Sequence, residues 1–373
     1  MFYLICTSVP VSFILGVILS IAYWTYRCRR PLLSIGIRYK NSALTAHILS
    51  ACNFNELTFD PPWYIRNPHI QTILPYLMQH ANVEFDREYI QMKDRGVIAL
   101  DWVKSVSKNT RKRSAVVLIL PGITSDATNV SYLCKLASNK GYKPVVYNQR
   151  GFGNTELTTA MLLNNCDPSD LRQTIQCIQD RHRLPVVSIA YGTGCDLLLS
   201  YLGEFGSSAR IFGGVCISAC LENEDRPSQT LKRVYNVLHL LKLKSIICRN
   251  YYALSKQINF AEMMKCWSLK EFDKIVFSRF YNYKSVDEFE EQMHPMRDID
   301  EICAPLLFIN SLDDPLDSKC DLLFELCDEF PNFMAIVSPT GGHCGFYDSL
   351  FDVSWSDRLA LTYIQSVLYF GIK

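Results

Sequence analysis

Leu184-Pro185-Val186-Val187-Ser188-Ile189-Ala190 runs into Tyr191-Gly192-Thr193-Gly194, and Cys195 to Glu204 follows. The first run is short, apolar and rich in β-branched residues, so it predicts a buried strand; the last has helical periodicity. A strand, a tight turn and a helix with small residues two places either side of the apex form the setting of a nucleophilic serine in the pattern G-x-S-x-G. Ala190 and Gly194 are those small flanks, and the apex is Gly192. Taking Thr193 as the apex instead puts Tyr191 and Cys195 at the crowded flanks, where a tyrosine ring fits badly. The turn is therefore read as present and its serine as missing.

Outward from this stretch, short apolar runs alternate with helical text. Glu88 to Met92 and Val97 to Val103 predict a hairpin, and Ala115 to Leu120 a buried strand ending in Pro121-Gly122-Ile123-Thr124. A helix over Val130 to Ser138, a strand over Pro144 to Tyr147 and a helix over Asp170 to Asp180 follow, and Ile211 to Ala219 is the next strand. Such alternation predicts a mostly parallel sheet with helices on both faces. Between Leu221 and Ala304 the text becomes long, charged and aromatic, with helices over Thr230 to Lys244 and Leu269 to Tyr281, the place for an inserted helical cap. Leu306 to Asn310 and Met334 to Val337 resume the sheet, and a helix over Asp357 to Tyr369 closes it. The organisation expected is an anchor at 1–26, an arm at 27–82, core at 83–220, cap at 221–304 and core again at 305–373.

The 373 residues carry a formal charge of +1 from 38 basic and 37 acidic side chains, so no overall field recruits nucleic acid. Residues 1 to 26 include no charged side chain and are long enough to cross a hydrocarbon core. No basic n-region or clean cleavage site accompanies them, so a retained transmembrane helix is expected over a cleaved signal. Arg27, Arg29 and Arg30 follow the run, so the globular part is expected in the cytosol, with a lumenal or extracellular body as the alternative orientation. Fifteen cysteines include no C-x-x-C pair and lie mostly in apolar runs, so buried free thiols are expected, with no metal or cofactor.

Two turns carry the remaining chemistry. Pro305 to Asn310 ends in Ser311-Leu312-Asp313-Asp314-Pro315, where a carboxylate past a strand end can orient an imidazole. Asp314 is preferred to Asp313, although acids in turns often only cap them. The following strand ends in Gly341-Gly342-His343-Cys344-Gly345-Phe346, and His343 is the candidate general base. Turn, then acid, then base is the chain order of the α/β-hydrolase fold. Backbone N–H groups of Ile123 and Thr193 would form the oxyanion hole, which loss of a serine side chain leaves in place. His343 to Asp348 also fits a formal H-x-x-x-x-D acyltransferase string, a weaker match. In the arm, Asn67-Pro68-His69-Ile70-Gln71-Thr72 stands out, with His69 read as a structural histidine rather than a ligand.

These motifs, with Leu100-Asp101-Trp102, Asn148-Gln149-Arg150-Gly151, Glu156-Leu157-Thr158-Thr159, Tyr201-Leu202-Gly203-Glu204 and Ser268-Leu269-Lys270-Glu271-Phe272-Asp273, span about residues 60 to 350. The chain resembles the membrane-anchored αβ-hydrolase-domain family that includes types 1, 2 and 3 and related bacterial and yeast esterases. The resemblance implies a single-pass protein of the endoplasmic reticulum or plasma membrane that acts on lipid esters such as monoacylglycerols or phospholipids. It implies a Ser-Asp-His triad without a cofactor, carried here by His343 and Asp314, with Ile123 and Thr193 as oxyanion donors and Gly192 where the nucleophile belongs. Glu291-Gln292-Met293-His294-Pro295 in the cap is a second departure from the pattern. With no hydroxyl at 192, the expectation is an impaired relative that binds a lipid or a protein partner; the alternative is an active carboxylic-ester hydrolase in which His343 activates water, or Thr193 or Cys195 attacks.

Overall fold

A computed structural model describes residues 34–78, 80–104, 114–122, 125–221, 230–281, 283, 285–317 and 319–372. Among these, nine strands form one sheet: β1 (Gly36–Tyr39), β2 (Phe85–Gln91), β3 (Val97–Val103), β4 (Val116–Leu120), β5 (Lys143–Asn148), β6 (Val186–Tyr191), β7 (Gly214–Ile217), β8 (Leu306–Ser311) and β9 (Phe333–Ser338). The order is β1-β9-β8-β7-β6-β4-β5-β3-β2. The strands from β4 to β9 run parallel, and the β2–β3 hairpin and β1 close the two edges antiparallel.

The central strands are apolar on both faces because both faces are covered. Val116, Leu118 and Leu120 of β4 and Leu306 and Phe308 of β8 face one cluster, with the helices Ser169–His182, Thr193–Phe205 and Asp321–Glu329. Val117 and Ile119, with Leu307 and Ile309, face the other, with the helices Ser131–Asn139 and Trp355–Ile372. The period of two along each strand thus sorts side chains into two cores.

The arm does more than precede the sheet. Gly36–Tyr39 pairs with β9 at the edge, Gly36 opposite Val337, and the helix Ala43–Cys52 packs on the C-terminal helix. The sequence offered little sign of this strand, because it is only four residues long and alternates exposed and half-buried positions. The helix expected over Leu269 to Tyr281 stops at Val276 and gives way to a single 3₁₀ turn, Ser278–Phe280.

Helices Thr230–Arg249, Tyr251–Leu254, Phe260–Lys265 and Leu269–Val276 share an apolar cluster of their own, with Leu240, Ile247, Met263 and Phe272 buried among Phe152 and Leu162 from the turn side of β5. The uncharged run 1–26 lies outside the described residues. Among the described residues, no helix is long and apolar enough to cross a membrane.

Candidate active site

β6 turns into the helix Thr193–Phe205 at Gly192, with φ +49° and ψ −120°. Side-chain-bearing residues adopt that backbone only under strain of about 1–3 kcal/mol, which glycine avoids. The Gly192 N–H donates to the Ile217 carbonyl at 3.0 Å, and its carbonyl accepts from the Cys195 N–H at 2.9 Å. Gly194 is fixed by close approach: a Cβ there would stand 2.2 Å from the Leu120 carbonyl oxygen. The turn has the strand-to-helix geometry of an elbow, with no side chain at its apex.

Opposite the apex stands His343. A Cβ added at Gly192 would lie 3.0 Å from its Nε2. On the other side of the ring, Nδ1 is 2.9 Å from Asp314 Oδ2, and the two side chains are 17% and 1% exposed. Asp314 is held in turn, its Oδ1 accepting from the N–H groups of Leu316 at 2.8 Å and Asp317 at 3.3 Å. Burial opposes a charged His343, but Cys344 and Asp314 outweigh it and raise the imidazole pKa well above its ordinary value. Asp313 does something else: its Oδ1 accepts the Gly342 N–H at 2.9 Å, and burial pushes its carboxyl up to about 6.

The arm motif clamps this loop. Asn67 caps the helix Pro68–Leu77, accepting from the His69 and Ile70 N–H groups. Thr72 donates to the Pro68 carbonyl at 2.7 Å and accepts the His343 N–H at 3.0 Å. Gln71 is fully buried, its Nε2 donating to the Ile65 and Tyr347 carbonyls and its Oε1 accepting the Tyr347 N–H. His69 instead meets the cap, its Nδ1 2.9 Å from Tyr235 Oη with the two rings stacked.

Other candidates stand apart. Cys195 is fully buried and its thiol donates to the Ile217 carbonyl at 3.6 Å, so it does not reach the apex. Asp348 pairs with Arg358. Thr193 is the first residue of the helix, where backbone N–H groups point outward, and its Oγ1 is 3.5 Å from where a Gly122 Cβ would be. Ile123 lies outside the described residues. The described cysteines are all free.

Sequence reasoning missed three groups near the imidazole. His239, on the cap helix Thr230–Arg249, is lowered to about 4 by burial and then by the His343 charge. Asp196, in the first turn after the elbow, is raised to about 7 by burial, while the Asn165 amide at 3.4 Å pulls the other way. Cys344 is the third. Only Cys344 had a local signal, its place beside the base. The cleft beside the elbow, lined by Leu120, Gly122, Asn165, Gly194 and Leu197 among others, encloses about 20 Å³. That is room for about one water.

Human protein ABHD15 is 34% identical to this chain, covering 89% of it and 74% of the human protein. The chain belongs to the αβ-hydrolase-domain (ABHD) family. Within this ABHD family, mouse phospholipase ABHD3 is 26% identical over 98% of this chain and 92% of its own length. Human monoacylglycerol lipase ABHD2 is 24% identical over 95% and 91%. No family profile matches the chain. A hyperthermophilic esterase from the archaeon Pyrobaculum calidifontis superposes with a TM-score of 0.51 over 90% of this chain and 100% of that one, at 15% identity, which shows the shared α/β-hydrolase fold.

Proposed function

We propose that this ABHD-family chain binds a lipid ester at the elbow and is impaired in serine-type turnover. The observation that carries the reading is Gly192, holding the positive φ of an elbow apex and facing His343 Nε2, yet offering no atom to attack a carbonyl. His343 and Asp314 take the roles of base and orienting acid, and the N–H groups of Ile123 and Thr193 those of oxyanion donors. The substrate class comes from the relatives, a phospholipase and a monoacylglycerol lipase by name. The cleft beside the elbow holds about 20 Å³, so an acyl chain needs the residues lining it to move aside.

The reading extends to the uncharged run 1–26 as a single membrane-spanning anchor in the endoplasmic reticulum or plasma membrane, with the body in the cytosol; its support is composition and the arginines that follow. A protein partner regulated by lipid occupancy belongs to the same proposal. A second reading, feeble carboxylic-ester hydrolysis, is favoured by the intact His343–Asp314 contact, which suits an imidazole that activates water directly.

Mass spectrometry of lipids retained by the full chain in detergent micelles tests the main reading. An acyl ester enriched over a detergent-only control and lost on filling the cleft by Gly122→Leu, where an added Cβ meets only ordinary contacts, supports it; no enrichment on folded protein contradicts it. Steady release of fatty acid that disappears in His343→Ala would favour the second reading instead.

A further inference from the structure

The space vacated at residue 192 has a second neighbour besides the imidazole. An added Cβ there would lie 3.7 Å from Cys344 Sγ as well as 3.0 Å from His343 Nε2, so a thiol and a candidate base border the same gap. Cys344 is half-buried rather than sealed in the core. Its backbone is fixed at φ +58° with the N–H donating to Ser218 Oγ at 2.9 Å, and its thiol donates to the Ile217 carbonyl at 3.8 Å. That same carbonyl accepts the Gly192 N–H, which ties the thiol to the apex of the elbow. Burial pushes the thiols of both Cys195 and Cys220 well up, away from the thiolate.

We propose that Cys344 is an acyl acceptor that works with His343 and Asp314 in place of the missing hydroxyl. His343 takes the thiol proton, and the sulfur forms a bond to the carbonyl carbon of a bound carboxylic ester. The bond from that carbon to the alcohol oxygen breaks, and His343 returns the proton to the departing alkoxide. A thioester on Cys344 and a free alcohol result, with no redox change and no co-reactant. Asp314 holds the imidazole in the tautomer that presents Nε2 to the gap. This rests on the ester-binding part of the proposed function and goes beyond it, because it assigns a covalent step to a chain whose elbow has none.

The test uses the full chain in detergent micelles with p-nitrophenyl butyrate as the probe, reading p-nitrophenol release and the intact mass together. The expected result is a burst approaching one p-nitrophenol per chain, a butyryl group mapped to the peptide containing Cys344, and its discharge by neutral hydroxylamine. Cys344→Gly suits φ +58° and should leave the thermal melt nearly unchanged while lowering the burst at least about 10-fold. Cys344→Ser should lose the hydroxylamine-sensitive adduct, and Cys248→Ser, at an exposed thiol, should keep it. A folded chain with neither burst nor adduct overturns the proposal, as does an adduct that survives in Cys344→Gly. If Gly192→Ser hydrolyses the same ester while the parent chain forms no thioester, the acyl-acceptor inference fails and the ester-binding reading stands; if neither reacts, both fail.

Discussion

Restoring the absent hydroxyl by Gly192→Ser perturbs the centre of the site, and the structure sets its size. Removing the serine from a Ser–His–Asp enzyme costs about 10⁶ in kcat, or about 8 kcal/mol of transition-state stabilisation. The new Cβ would stand 3.0 Å from His343 Nε2, tighter than ordinary contact. A serine Oγ hydrogen-bonded at about 2.6–3.2 Å to that nitrogen needs its Cβ farther off, so the ring must withdraw by roughly 0.5 Å. A misplacement near 1 Å costs about 10² in rate, so the net gain in p-nitrophenyl butyrate hydrolysis should be roughly 10⁴-fold over the parent chain. The φ of +49° should lower stability by about 1–3 kcal/mol, visible as a drop of a few degrees in the thermal melt. Hydrolysis rates and fluorophosphonate labelling at residue 192 read the outcome. A folded variant that gains less than about 10-fold and takes no label would refute the claim that base, acid and oxyanion donors stand ready around an empty apex.

The arm's grip on the histidine loop gives two stability predictions. Thr72→Val leaves the His343 N–H without its acceptor and should cost about 1–3 kcal/mol, and Gln71→Leu strands three buried backbone groups and should cost about 3 kcal/mol or more, both read by denaturant unfolding. Gly194→Ala pushes a methyl to 2.2 Å from the Leu120 carbonyl and should give little folded protein on size exclusion. His343, with its pKa raised on folding, contributes stability that is fully present below its unfolded value of about 6.5 and is lost as pH rises through the higher folded value. Asp314→Asn removes one of the raising partners, so an NMR titration should find the imidazole pKa lower and the fall of melting temperature with rising pH moved to lower pH.

Much of the fold was legible because a buried parallel sheet writes itself as short apolar runs. Val116 to Leu120 and Leu306 to Ile309 are apolar at every position since each serves two cores in alternation. The edge strand Gly36–Tyr39 was not legible: only every second residue is half-buried, and its pairing with β9 joins residues about 300 apart. The same separation hid parts of the site. The elbow is a local pattern of small residues, and the glycine at its apex could be read directly. Gln71 and Thr72 gained meaning only when the helix Pro68–Leu77 met a loop some 270 residues later. Tyr235 and His239 sit in helical text whose period says nothing about which face covers the imidazole. Cys344 looked like another buried thiol until the gap at Gly192 was measured against it.

The most direct test of the empty apex is fluorophosphonate labelling of the wild-type full chain, read by intact mass and peptide mapping. The account predicts no phosphonyl adduct on any hydroxyl of residues 186–205, with Gly192→Ser labelling in parallel as the positive control. A stoichiometric adduct on Thr193 of the wild-type chain would contradict it, because an activated hydroxyl would then stand at the elbow after all.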